Sequence, residues 1–149
     1  MHSYKITINK TIYNVQYKAY INSNILSLVI KATLKEGINE QRIMVKTYNY
    51  NLTTHEEIKL NQLKEIKGVG AELINNKIQQ TIKQANEQAK NLESLGYTVL
   101  YREPTDGIYN IEASNNSINS MLGENGILYI IYPYGNRETT SEMDIIEFE

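Results

Sequence analysis

The sequence predicts an α+β fold, in which antiparallel strands lie before and after one long helix packed across a sheet face. An apolar stripe at helical spacing occupies residues 70–95, and runs that alternate with a period of two occupy the segments on either side. At 149 residues the chain has the length of one ordinary domain. We therefore predict a single α+β domain over residues 1–149.

The long helix is predicted from apolar residues that recur in steps of three and four, which places them on one side of a helix. The stripe consists of Ile74, Ile78, Ile82, Ala85, Ala89 and Leu92. Its other positions are polar, so the stripe must pack on an apolar surface made elsewhere in the chain. We expect the helix to end at Gly96, because glycine readily adopts the left-handed conformation of a helix cap.

Four strands joined by short turns are predicted before this helix, at residues 4–9, 13–19, 26–34 and 43–50. In the third strand the apolar residues from Leu26 to Leu34 alternate with Ser27, Lys31 and Thr33. Such alternation is typical of an antiparallel meander with one face in solvent. A short helix capped by Asn61 should follow, and glycines at 68 and 70 should separate it from the long helix.

Strands are also predicted after the helix. Residues 97–102 have strand composition, and the turn at 104–107 leads into a strand at 108–111. Residues 114–120 read as a loop, with a helical turn near 118–122 as a further interpretation. A hairpin turn at 124–126 should start a central apolar strand at 127–132, in which Tyr129 is a core residue. The segment 132–136 should interrupt pairing because proline has no N–H donor, and 142–148 should form the last strand.

Composition excludes several kinds of chemistry. The chain has no cysteine, so disulfides, cysteine zinc sites and thiol nucleophiles are excluded. Its two histidines, His2 and His55, do not have the spacing of metal ligands, and we expect His55 in an exposed turn and neither a metal nor a cofactor. We read glycines 68 and 70 as the start of a helix, because a P-loop would need further glycine, lysine and serine. The net charge of −2, scattered over both signs, argues against nucleic-acid binding and is compatible with a basic protein partner.

The candidate site residues lie near the C-terminus. Tyr132, Tyr134 and Asn136 belong to the segment around the proline, where aromatic residues serve either as a contact surface or as a cover for the helix end. Glu142 and Asp144 lie two apart and share one face of a strand. That arrangement suits either a solvated edge strand or a pair of catalytic acids, although a glycosidase also needs a set separation and a cleft for sugar. We favour a binding surface.

Four segments carry a resemblance to a known family. They read NILSLVI at 24–30, KTYNYNLTT at 46–54, IKLNQL at 58–63 and LYIIYPYG at 128–135. Their order resembles that in the uncharacterised extracytoplasmic domains of RsiV-type anti-sigma factors and PdaC-type peptidoglycan deacetylases. The chain departs from the family at 36–39, where members often have Gly-Gly-Ala-His, and at 54–55, where they have Thr-Gly.

The resemblance implies a non-catalytic extracytoplasmic module that recognises a protein or a cell-wall ligand, and in the RsiV branch the ligand is host lysozyme. The deacetylase activity of the PdaC branch belongs to a separate metal-binding domain. The alternatives are a structural or self-associating module and a hydrolase of cell-wall material. No apolar run approaches the ~20 residues of a membrane span, so we expect no membrane contact within this chain. The location is expected to be extracytoplasmic if the chain is part of a longer, membrane-anchored protein, and cytoplasmic if Met1 is the native start.

Overall fold

The computed structural model describes residues 10–102, 118–134 and 142–149. The predicted strands at 4–9 and 108–111 and the turn at 104–107 lie outside these residues. The strands are β1 (Thr11–Asn22), β2 (Ile25–Glu36), β3 (Arg42–Asn51), β4 (Glu56–Glu57), β5 (Asn119–Leu122), β6 (Leu128–Tyr134) and β7 (Glu142–Phe148). The helices are α1 (Leu60–Lys67) and α2 (Ala71–Ser94). The α+β class is confirmed.

The strands form two antiparallel sheets. The first sheet has the order β1-β2-β3-β4, and the second has the order β5-β6-β7. The predicted turn between β1 and β2 is present, with Ser23 in the left-handed region at φ 55°. The predicted turn between β5 and β6 is also present, and it places Asn125 and Gly126 at φ 57° and 72°. As predicted, β6 is central in its sheet.

Helix α2 packs its predicted stripe against the second sheet. Ile74, Ile78 and Ile82 are at most 2% exposed, and they belong to one core with Leu128 and Phe148. Leu92 is 46% exposed, because it lies in the last turn of the helix beyond this core. The helix ends as predicted, with Gly96 at φ 90° and the Tyr97 N–H donating to the Leu92 carbonyl over 3.2 Å.

The two faces of the second sheet have different partners. One face contributes Leu128 and Ile130 to the core beneath α2. On the other face Met121 and Ile131 pack with Val45 of the first sheet in a separate core. The domain therefore has three layers, with the three-stranded sheet between the long helix and the four-stranded sheet.

The orientation of the four-stranded sheet could not be predicted from its apolar alternation. Ser27, at 0% exposure, and Asn49, at 4%, lie on the face towards the second sheet. The more apolar face of β2, from Leu26 to Leu34, looks away from it. Polar residues occupy the inner face because they hydrogen-bond the backbone of β5, as described below.

Three local predictions were wrong. Residues 97–102 form no strand, and at the end of this segment the Arg102 N–H and carbonyl hydrogen-bond the Asn86 side chain, at 2.7 and 2.8 Å, in place of a neighbouring strand. Residues 119–122 form β5 and not a helical turn, since they pair with β6. Helix α1 begins after Lys59 and not at Asn61, because the Gln62 side chain accepts the Lys59 N–H at 2.8 Å.

The expected interruption at Pro133 was also wrong. Strand β6 continues through Pro133, which lies opposite Met143 of β7. In the described residues β5 reaches only as far as Ile131, so Pro133 lies beyond its end. Proline is tolerated in a strand where one side of the backbone needs no donor.

Candidate binding surfaces

The first candidate surface is the side of the four-stranded sheet that faces away from the second sheet, which we call the outer face. Its residues form five cross-strand rows over β1, β2 and β3. The rows are Tyr13-Leu34-Arg42, Val15-Ala32-Met44, Tyr17-Ile30-Lys46, Ala19-Leu28-Tyr48 and Ile21-Leu26-Tyr50. Apolar and aromatic side chains predominate. Those on β1 and β3 are exposed, with Tyr17 at 73%, Ile21 at 67% and Tyr48 at 50%, whereas those on β2 are half-buried or, at Ala32, only 6% exposed. A contiguous exposed surface of this kind is typical of an interaction site.

The second candidate is a cleft between the two sheets, with a volume of about 660 Å³. Val29 and Val45 of the first sheet and Met121 and Ile131 of the second line it. Its margin carries charged and polar side chains, namely Gln16, Lys18, Lys31 and Glu147. The volume falls within the range of small-molecule sites, ~300–1,000 Å³.

Tyr129 lines the cleft, and its ring packs directly against Gly123. A Cβ atom on Gly123 would lie 2.4 Å from Tyr129 Cε2, so the ring occupies space that only glycine leaves open. Burial raises the pKa of the Tyr129 phenol, and the charges of Glu147, Tyr20 and Glu124 raise it further. The sequence correctly indicated Tyr129 as a core residue beside Ile131.

Strand β5 is held across the inner face of the first sheet by side chains. The Ser120 N–H donates to Thr47 Oγ1 on β3 over 2.9 Å, and the Leu122 N–H donates to Ser27 Oγ on β2 over 3.1 Å. Asn22 at the end of β1 donates to the Gly123 carbonyl over 2.9 Å. Strand β5 therefore crosses β3, β2 and β1 in turn, which sets the spacing of the sheets and with it the cleft.

Buried hydrogen bonds complete this arrangement. The Ser27 hydroxyl donates to Asn49 Oδ1 at 2.6 Å, and Asn49 Nδ2 donates to the Ser120 carbonyl at 2.7 Å. Buried polar groups need such partners, since an unsatisfied one costs ~1–3 kcal/mol. Sequence reasoning read Ser27 as a solvent-facing residue and did not single out Asn49.

Four of the five predicted site residues lie on two paired strands. By strand register Tyr132 lies opposite Asp144, and Tyr134 lies opposite Glu142. The fifth, Asn136, lies outside the described residues. The predicted tyrosines and acids are separated along the sequence. The pairing of β6 with β7 places each tyrosine opposite one acid.

Asp144 is not a solvated surface acid. Its carboxylate accepts two hydrogen bonds from the Arg102 guanidinium, Nε to Oδ2 and Nη2 to Oδ1, both at 3.1 Å. Each side chain is only 11% exposed. Arg102 was missed in the sequence because 42 residues separate the partners and its segment was read as a strand.

The structure also locates His55 and bears on metal binding and membrane spans. His55 lies in the turn between β3 and β4 at φ 60° and is exposed, as predicted. Across residues 10–102, 118–134 and 142–149, no three histidines or acids form a group that could hold a metal ion. Within the same residues, no helix combines the length and apolar character needed to cross a membrane.

Sequence reasoning placed Tyr129 and Ile131 in the core but did not predict the cleft that they line. Lys18 and Lys31 lie on the strand faces that the alternation marks as polar, and Tyr20 follows on the same face as Lys18. Only the packing of the second sheet over that face makes it a cleft.

Comparison with protein-family models and with curated proteins finds no significant match for this chain.

Proposed function

We propose that this chain is a non-catalytic, extracytoplasmic binding module that recognises a protein through the outer face of its four-stranded sheet. The observation that carries the proposal is the exposure of Tyr13, Tyr17 and Tyr48 among aliphatic residues on one continuous sheet face. The resemblance to the RsiV- and PdaC-type domains supports the extracytoplasmic location and suggests a lysozyme as the partner.

The composition of the outer face favours a folded protein as its partner. Tyrosine, methionine and arginine are enriched where proteins meet. The outer face combines eight apolar or aromatic side chains on β1 and β3 with Arg42 and Lys46. Tyrosine also supplies a large rigid contact area together with one hydrogen-bonding group. A broad sheet surface of this kind suits the surface of a folded protein better than a single extended peptide or glycan chain.

Charge constrains how a lysozyme would approach. Arg42 and Lys46 lie in two rows on β3, and a basic partner is repelled there. The rows at the opposite end of β3 contain Tyr48 and Tyr50 with Ile21 and carry no charge. We therefore expect a lysozyme to contact the tyrosine end of the outer face.

Calorimetric titration with hen lysozyme, and separately with soluble peptidoglycan fragments, tests the proposal. Tyr48→Ser should weaken binding by about fivefold or more, because truncating a central tyrosine contact typically costs over ~1 kcal/mol. Tyr97→Ser is the matched control, since Tyr97 is 62% exposed, follows α2 and belongs to none of the strands of the sheet. No heat with either ligand up to millimolar concentration would contradict the proposal.

Self-association through the same face is the second candidate, because an exposed apolar sheet face can pair with a copy of itself. Light scattering over a concentration series separates the two. A mass that doubles with concentration, and that Tyr48→Ser returns to the monomer value, would favour self-association over recognition of another protein.

A further inference from the structure

We propose that the cleft between the two sheets binds a small anionic amphiphile, with its apolar chain between the sheets and its carboxylate at Lys18 and Lys31. This inference does not depend on the proposed function. The cleft lies on the inner face of the four-stranded sheet, and the proposed protein surface is the outer face of that sheet.

The walls of the cleft suit an alkyl chain. Val29, Val45, Met121, Ile131 and Met143 surround a volume of about 660 Å³. Val45 and Ile131 are only 5% and 6% exposed, so the floor of the cleft is apolar. An apolar chain gains ~0.8 kcal/mol for each methylene that it buries in such a place.

The margin of the cleft suits an anionic head group. Lys18 lies opposite Val29, and Lys31 lies opposite Gln16 two positions along β2, so the lysines are diagonal neighbours on one face. Such neighbours lie ~7–8 Å apart, with their Cβ atoms somewhat closer, which lets two lysines reach one carboxylate. In the described part of the chain neither lysine forms an ion pair. Glu147 is the one acid among the cleft residues, so the margin keeps a net charge of +1.

Two phenols offer further donors. Tyr20 and Tyr129 line the cleft and are half-buried. Among residues 10–102, 118–134 and 142–149, neither hydroxyl has a hydrogen-bond partner. Burial and the nearby Glu147 raise the pKa of Tyr129, so its hydroxyl stays protonated and able to donate. A carboxylate accepts such hydrogen bonds, and an alkylammonium group cannot.

Calorimetry with three ten-carbon probes tests the charge preference, each below its critical micelle concentration. Decanoate should bind more tightly than decanol, and decanol more tightly than decyltrimethylammonium. Lys18→Gln and Lys31→Gln should each weaken decanoate binding by roughly two- to fivefold, the value of a partly exposed ion pair, and should leave decanol binding unchanged. Glu147→Gln should tighten decanoate binding by a similar factor. Lys46→Gln is the matched control, because it removes the same charge from the outer face of the same sheet.

The methionines locate the ligand independently. Met121 and Met143 line the cleft, whereas Met44 is 42% exposed on the outer face. In protein labelled with ¹³C-methyl methionine, decanoate should shift the Met121 and Met143 signals and leave Met44 unchanged, with assignments from single Met→Leu variants. A protein partner at the tyrosine end of the outer face should leave Met121 and Met143 unchanged, so the two proposals fail separately.

Several results would overturn the proposal. These are the absence of decanoate binding, a preference for the cationic probe, equal effects of Lys31→Gln and Lys46→Gln, or a decanoate shift confined to Met44. The probe order and the two cleft methionine shifts together would support it.

Discussion

Arg102 binds Asp144 through two parallel hydrogen bonds of 3.1 Å that join the segment after α2 to strand β7. The pair is nine-tenths buried, with 11% exposure on each side chain. Removing one partner of such a pair leaves a buried charge and lowers stability. Replacing both partners by apolar residues can leave the stability nearly unchanged.

We predict that Asp144→Asn destabilises the domain by about 3 kcal/mol in urea unfolding, because the buried Arg102 guanidinium loses the negative charge of Asp144. The double variant Arg102→Met/Asp144→Leu should recover most of that loss. Glu147→Gln, an exposed acid on the same strand, is the control and should change stability by less than ~0.5 kcal/mol. Equal losses for Asp144→Asn and Glu147→Gln would show that the pair contributes nothing.

Helix α2 supplies the second prediction. Ile82→Ala should cost about 2–5 kcal/mol, because Ile82 is 2% exposed and its truncation leaves a cavity beneath the helix. Lys83→Ala, one residue further and exposed, should cost less than ~0.5 kcal/mol. Equal urea midpoints for the two variants would contradict the packing of α2 on the second sheet.

The third prediction concerns the polar contact between the two sheets. Ser27→Ala should cost about 1–3 kcal/mol, because the Leu122 N–H and the Asn49 side chain each lose a buried partner. Ser94→Ala removes an exposed hydroxyl and is the control. Backbone hydrogen exchange should speed up at Leu122 in the first variant alone. Unchanged exchange there would argue that β5 is held by other contacts.

The contact between Gly123 and Tyr129 supplies the fourth. Gly123→Ala places a methyl group 2.4 Å from the Tyr129 ring and should cost about 1–3 kcal/mol through overpacking. Adding Tyr129→Ala should remove that cost, so the double variant should be no less stable than Tyr129→Ala alone. Gly70→Ala, with open space and φ −73°, should stay within ~1 kcal/mol of the parent. A full additive loss in the double variant would contradict the contact.

The fifth concerns pH. Burial, and then the charges of Glu147, Tyr20 and Glu124, hold the pKa of Tyr129 above the ordinary tyrosine value of about 10. The unfolded chain therefore loses this proton first, and stability falls as pH rises from about 10 towards the folded pKa. In a spectrophotometric titration, the Tyr129→Phe variant should have lost a phenol that titrates at high pH. The control variant Tyr13→Phe should still show that phenol. Loss of an early-titrating phenol would show that the site does not disfavour the phenolate.

The order of most elements is encoded locally and was readable from the sequence. The spacing of Ile74, Ile78 and Ile82 specified the face of α2 that is buried, because a helix with one apolar stripe has one way to pack. Glycine at 96 marked the helix end, and turn residues at 22–24 and 124–126 marked two hairpins. These features depend on neighbours within a few residues.

Tertiary structure alone decided which sheet faces are covered. Alternation told us that Leu28 and Ser27 lie on opposite faces of β2, but not which face meets the second sheet. The polar face turned inward because Ser27, Thr47 and Asn49 bind the backbone of a strand about 70 to 95 residues away. Long-range hydrogen bonds of this kind leave no periodic pattern in the sequence. For the same reason the cleft with Lys18 and Lys31, the apolar outer face, and the pairing of Arg102 with Asp144 exist only once the layers are assembled.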